Sequence, residues 1–190
     1  MPRLGMEPIR KAALIKAAIE AIGASSTLDV TVSQIARRAG VSSALAHHYF
    51  GSKEDILLAA MQHVLAQYSQ AIAAALRGRT DPEDRLNVIL EASFGPDNFR
   101  REVIGAWLTF WVMARSVPKA RRLLTIYERR LQSNLLVCLR PLAGPRAQEL
   151  AEATGALIDG VYLRTALSEA APDGAAAVSL IRSMVFDHPG

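Results

Sequence analysis

The stretch AGVSSALAHHYFGSK, residues 39–53, sets His47, His48 and Tyr49 side by side on a short helical pattern between two glycines. Adjacent histidines could bind a metal, but neighbours on a helix point about 100° apart and make a poor chelate. The other chemistry is duplex DNA. Small and polar outward side chains (Ser43, Ala44, His47, His48) suit the edges of bases, while the rings and Lys53 suit phosphates. A simple solvated face, with Tyr49 in the core, is the plain alternative.

A second constellation lies downstream. Trp107 and Trp111 are four apart, so both indoles project from one helical face, with Phe110 close by. Phe94, Tyr127 and Tyr162 belong to other helical segments and can converge with them. An aromatic box holds a quaternary ammonium through the negative faces of its rings, each contributing roughly 0.5–2 kcal/mol. Asp159 and Glu91 interrupt otherwise apolar helical segments and are the candidate counter-charges. Ordinary core packing, with each acid paired to a nearby arginine, competes with this reading.

Charge distribution favours DNA for the first constellation. Residues 1–53 carry seven Lys or Arg against three acids, whereas residues 54–190 carry fifteen of each, so the whole net charge of +4 sits in the first quarter. That asymmetry fits a polyanion-binding module joined to a neutral body. A helical protein-interaction module would leave the basic quarter without a purpose. A solvated basic face is the other alternative.

These residues must be positioned by helices. Ala, Leu, Arg and Glu dominate and period-two runs are few, so the chain reads as all-α. Ala12, Ile15, Ile19 and Ile22 give the inward face of a first helix, with Pro8 in its first turn and Gly23 as its stop. Thr31-Val-Ser-Gln34 makes a capping box opening a second helix, with Ile35, Ala36 and Ala39 inward and Arg37 and Arg38 outward. Gly40 ends it in a left-handed turn and Ser42 caps a third helix, roughly 43–50, whose natural inward pair is Ala46 and Phe50. Two helices joined by so short a glycine turn form a helix-turn-helix.

The run Thr31-x-x-x-Ile35-Ala36-x-x-Ala39-Gly40-Val41-Ser42, followed by Tyr49-Phe50-x-x-Lys53, resembles the signature of the TetR family of bacterial transcriptional regulators. The resemblance implies a three-helix DNA-binding domain over residues 1–52 and a helical ligand-binding and dimerisation domain over 53–190. It further implies a homodimer on double-stranded operator DNA, and repression relieved by a small-molecule inducer. By position, Thr31, Tyr49 and Lys53 become phosphate contacts. Ser43, Ala44, His47 and His48 face the major groove, and the outward Arg38 joins the DNA face.

A narrower resemblance spans almost the whole length. MPRLGMEPIRK at the start, AWLTFW at 106–111 and LIDGVYLRTALS at 157–168 are similar to the family's choline-responsive branch, the repressors of glycine betaine synthesis. Choline is then the implied inducer, bound by Phe94, Trp107, Phe110, Trp111, Tyr127 and Tyr162 with Glu91 or Asp159. The reading helix departs from that branch: Ser43-Ala44-Leu45-Ala46-His47 stands where Thr-Gly-Ile-Ile-Ser is expected. A regulator of another pathway, such as efflux, sensing a different lipophilic or cationic compound is the competing reading.

The body reads as further helices. Ser52-x-x-Asp55 caps a long fourth helix reaching about Leu76, and breaks fall at 77–82, 95–98, 117–118, 140–146 and 171–174, which leaves room for nine helices. Leu150, Thr154, Leu157, Ile158 and Val161, continued by Val178, Ile181 and Val185, form an apolar stripe that Gly155 and Gly160 would let a partner approach; an internal core is the alternative. The single cysteine, Cys138, reads as a buried, inert thiol. No stretch has the length and apolarity of a membrane span or secretory signal, so a cytoplasmic protein is expected. No phosphate-binding glycine loop, no cluster with metal-ligand spacing and no nucleophile beside a base is present, so neither an enzyme nor a resident cofactor is expected.

Overall fold

In the computed structural model, residues 5–24 and 30–186 are described. Arg3 and Asp29, counted in the charge balance above, lie outside them, as do the first four residues of the opening motif. Nine α-helices are present among the described residues: α1 (Met6–Ala24), α2 (Val32–Arg38), α3 (Ser43–Phe50), α4 (Lys53–Ala75), α5 (Pro82–Ser93), α6 (Arg101–Ala114), α7 (Pro118–Ala143), α8 (Ala147–Ala166) and α9 (Gly174–Phe186). A single 3₁₀ turn, Gly144–Arg146, joins α7 to α8. Most breaks read from Pro, Gly and Asp are observed, with Asp81 capping α5 by accepting from the Asp84 N–H at 2.8 Å, but the one read at 140–146 is confined to 144–146: α7 continues through Pro141 to Ala143, and Gly144 closes it at φ +51°.

The head is α1–α3, seated on the first turns of α4. Leu14, Ala18, Ile35, Ala46 and Ile56 meet there with no more than 1% of their surface exposed. Such burial contributes roughly 1.5–3 kcal/mol for each large aliphatic side chain. Leu14 in fact leads the inward face of α1. Ala12, expected inward, is exposed, because the buried line runs through Leu14, Ala17, Ala18, Ala21 and Ile22.

Gly23 does not stop α1; it lies inside the helix, which continues through Ala24. Its missing side chain serves packing instead. A Cβ there would fall on the Glu102 backbone, so α1 and α6 cross at a distance only glycine permits. Gly105 sits one turn along α6, where a Cβ would lie 3.5 Å from both the Gly23 Cα and the Ile22 Cγ2, an ordinary contact.

The body packs α5–α8 around Leu86, Ile89, Leu90, Leu135, Leu139 and Ile158, with α9 laid across α5 and α8. Cys138 is buried there and burial pushes its thiol up, so it is unreactive packing. Of the expected α8–α9 stripe, Leu150, Leu157, Val161 and Val178 are half-buried against the core. Thr154, Ile158, Ile181 and Val185 are buried inside the chain itself and are not a partner-facing surface. The apolar side chains turned outward are Leu163, Leu167, Leu180 and Met184, and neither Gly155 nor Gly160 has an atom within 4 Å of a would-be Cβ.

The α1–α6 crossing yields a paired test. Gly23→Ala must force two backbones apart and should cost about 1–3 kcal/mol in thermal denaturation. Gly105→Ala should be neutral or gain up to about 1 kcal/mol from helix propensity. Equal melting temperatures for the two variants would contradict the crossing.

Candidate functional site

Two groups of side chains are built by this frame. At the head, the Thr31 hydroxyl accepts from the Gln34 N–H at 3.2 Å while the Gln34 side chain accepts from the Thr31 N–H at 2.8 Å, which starts α2 at a fixed point. Gly40 takes φ +69°, a conformation that costs glycine little, and the Ser42 hydroxyl accepts from the Leu45 N–H at 3.2 Å to start α3. With Ala46 fully buried, α3 is pinned by its inner face.

What remains outside is Ala44, His47 and His48, all exposed, and Ser43, half-buried with its hydroxyl donating to the Ser33 Oγ at 3.2 Å. His47 Nδ1 stands 3.0 Å from the Gly51 carbonyl oxygen. A carbonyl only accepts, so in this contact Nδ1 is the donor.

Thr31 is exposed at one edge of this face and Lys53, half-buried, opens α4 at the other. Tyr49 is half-buried against the core, with the Lys11 ammonium 5.6 Å from its ring centroid. Arg38 is exposed and held loosely by Glu20 at 3.5 Å, a surface pair that a phosphate can displace. Thr31, Arg38, Ala44, His47 and His48 are thus exposed on the helix-turn-helix and the start of its helices, with Ser43, Tyr49 and Lys53 half-buried.

In the body, Trp107, Trp111, Tyr127 and Tyr162 converge as the spacing suggested. Trp107 lies 4.6 Å from Tyr127, 5.6 Å from Trp111 and 6.1 Å from Tyr162, centroid to centroid. Tyr68 from α4 completes the ring set, 6.1 Å from Tyr127. Val64, Ser93, Asn98, Ile158 and Asp159 fill the gaps, and the space left is about 10 Å³, room for one water. The box is therefore closed, and any cation must part its walls.

Asp159 is the only charged residue of the lining. It has no hydrogen-bond or ion-pair partner among the described residues. Burial, and next the neighbouring Glu128 carboxylate, push it up to about 6. Two of the three tyrosine hydroxyls are engaged elsewhere. Tyr162 donates to the Ser93 carbonyl at 2.6 Å and the Asn98 carbonyl at 3.2 Å, and Tyr68 meets the Ser93 Oγ at 2.9 Å, its hydroxyl pushed up to about 12 by burial.

Three candidates fall elsewhere. Glu91 is exposed on the groove between α5 and α9, since two residues along a helix from buried Ile89 is the opposite face. Phe94 is buried against Phe99 (5.0 Å) and Tyr162 (5.8 Å), borders that same groove and braces the box from behind. Phe110, 2% exposed, stacks edge-on to Trp107 at 6.1 Å and points into the core. Tyr68 and Asn98 were missed. Tyr68 had a signal, lying four after Val64 and four before Ile72 on the buried face of α4; Asn98 sat in a stretch read only as a helix break. Among the described residues no group of acidic, histidine or cysteine side chains could hold a metal ion, and no helix is long and apolar enough to cross a membrane.

A helix-turn-helix head on a nine-helix frame whose long fourth helix runs into a closed box of aromatic rings is the design of a ligand-responsive transcriptional regulator, and the chain belongs to the TetR family of bacterial regulatory proteins. The model for that family's DNA-binding region matches residues 14–60, and the model of the BetI-type transcriptional repressor C-terminal domain matches residues 82–188. The HTH-type transcriptional regulator BetI of Brucella anthropi is 49% identical over 97% of this chain and 96% of its own. BetI of Rhizobium meliloti is 46% identical over 99% and 93%. A putative transcriptional regulator from Saccharomonospora viridis, crystallised in complex with choline, shares the fold with a TM-score of 0.83 at 23% identity, covering 94% of this chain and 96% of its own. The chain is thus a transcriptional repressor of BetI type, a family of DNA-binding proteins that are not enzymes.

The Tyr162 hydroxyl satisfies two buried carbonyls at once. Tyr162→Phe should cost about 1–3 kcal/mol in urea denaturation by leaving them unpaired. A change below about 0.5 kcal/mol would mean that water replaces the hydroxyl, against the closed box described here.

Proposed function

We propose that this repressor controls choline-to-glycine-betaine genes as a homodimer, and that choline, bound in the ring box, releases it from operator DNA. The observation that carries this is Asp159: a half-buried carboxylate among five rings, with no ion-pair partner among the described residues. Positive charge on a small, weakly hydrated group satisfies both features. Trp107, Trp111, Tyr127, Tyr162 and Tyr68 then hold the trimethylammonium, with Asp159 as counter-charge. Choline's roughly seven non-hydrogen atoms cap its binding near 10 kcal/mol, so several rings must act together. The choline complex of the Saccharomonospora viridis protein supports the ligand class.

Residues 1–52 act as the reading domain and 53–190 as the sensing and dimerising domain. Thr31, Tyr49, Lys53 and Arg38 hold phosphates. Ser43, Ala44, His47 and His48 meet the edges of bases in the major groove. Two such heads must stand about 34 Å apart, or a multiple of it. Leu163, Leu167, Leu180 and Met184, exposed around Gly155 and Gly160, supply the surface that pairs them. The protein works in the cytoplasm, where its operator is.

Calorimetry tests the sensing half. Trp107→Ala and Trp111→Ala should each weaken choline binding about tenfold or more, and unchanged affinity in both removes the box. Because the cation needs Asp159 ionised, wild-type affinity should hold above about pH 7 and fall as pH drops through about 6, approaching tenfold per unit below it. Asp159→Asn should bind weakly with no such pH dependence; a wild-type profile flat from pH 5 to 8 refutes the counter-charge.

Gel shifts test the reading half. Lys53→Ala should weaken all DNA sequences alike and lower the salt slope by about one, while His47→Ala should alter which sequence is preferred. The reverse pattern would overturn the assignment of the face. Leu163→Glu with Leu180→Glu should give a monomer by light scattering with operator binding lost.

A further inference from the structure

The ring box shares a wall with a larger cavity. A groove of about 660 Å³ runs between α4 and α7, floored by Leu65, Ile72, Leu76, Leu123, Ile126 and Leu131. Tyr68 and Tyr127 are the two residues that line both spaces. The box has room for one water, the groove for a chain of carbons, and a pair of rings 6.1 Å apart divides them.

We propose that the ligand site continues between Tyr68 and Tyr127 into the α4–α7 groove, so that the protein takes quaternary ammonium compounds bearing an apolar tail, head in the box and tail in the groove. The inference rests on the reading of the box as a quaternary ammonium site. Three observations carry it. First, the two tyrosines are held differently. Tyr68 is anchored by its hydrogen bond to Ser93, whereas the Tyr127 hydroxyl makes no hydrogen bond among the described residues, so the Tyr127 ring is kept in place by packing alone and is the one that turns.

Second, the charges are sorted. The one charged residue lining the box is Asp159, and the one charged residue lining the groove is Arg130. An ammonium is drawn into the first and repelled from the second, which fixes the direction in which an amphiphilic cation lies. Third, the groove leaves apolar surface in water: Ile126 is 41% exposed at its mouth. A tail laid there along Leu65, Ile72 and Ile126 removes that surface from solvent.

The test is a calorimetric series with one head and growing tails: tetramethylammonium, butyltrimethylammonium and octyltrimethylammonium, with choline and octanol beside them. Affinity should rise about twofold per methylene from butyl to octyl, half the gain of complete burial because the groove is open on one side, hence about tenfold or more in total. Octanol, with the tail but no charge, should bind at least about tenfold more weakly than octyltrimethylammonium. Ala66→Phe and Ala73→Phe, both at exposed positions of α4 that line the groove and not the box, should abolish the gain while leaving choline affinity unchanged.

Choline binding with no dependence on tail length would overturn this inference and leave the box intact. A tail gain that survives both Phe variants, or octanol binding as well as the octyl cation, overturns it too, since the tail would then lie elsewhere or bind without the head. Failure of every compound in the series to bind would remove the box itself and this extension with it.

Discussion

The helix α4 is shared by two cores, and that sharing constrains everything else. Its early residues Ile56, Leu57 and Ala60 are buried in the head; Val64, Leu65 and Ile72 are buried in the body. Close-packed interiors do not absorb a displaced helix by compression, so a shift at one end of α4 is felt at the other. A second tie runs alongside it. The α1–α6 crossing at Gly23 brings the head's first helix onto the backbone of the helix that carries Trp107 and Trp111. The head is therefore gripped by two helices that also wall the ring box: α4 through Tyr68 and Val64, α6 through its tryptophans.

This arrangement gives a ligand something to work on. A ligand shifts an equilibrium only by its differential affinity for the two states, and a box with about 10 Å³ of space cannot hold choline in the state seen. Occupation requires an opened box, and opening moves walls that belong to α4 and α6. Asp159 supplies the drive on the proposed reading: its half-buried carboxylate is partly desolvated and has no ion-pair partner among the described residues, and a cation relieves that cost only once inside. The Tyr68–Ser93–Tyr162 hydrogen bonds join α4, α5 and α8 around the same space, so the change is shared by the elements that surround it.

The head was legible almost residue by residue because local rules determine it. The Thr31–Gln34 box, the left-handed Gly40, the Ser42 cap and the buried Ala46 each follow from one or two neighbours in sequence, and each stands where expected. Helix count and most breaks in the body were legible for the same reason, although Pro141 lies inside α7 where a break was expected. Which face of a body helix turns inward was not, because the answer depends on the neighbouring helix. Thr154 and Ile158 belong to the core while Leu163 and Leu167 face out, and Glu91 lies outside a box that Asp159 enters. Gly23 shows the limit most clearly: a helix-stop residue by local rules, it is a close-approach residue once α6 is known. The i, i+4 pair of tryptophans was readable as one face; the tyrosine that joins them from α4 required the fold.

Linkage offers the most direct check on the central claim that the box and the reading head are one coupled system. Choline affinity should be measured twice by calorimetry, on the free protein and on the protein saturated with its operator duplex. The account predicts weaker choline binding to the complex, by the same factor by which saturating choline weakens operator binding, typically 5- to 150-fold for such couplings. Equal choline affinity in the two states would contradict it, since a site that does not sense DNA cannot release it.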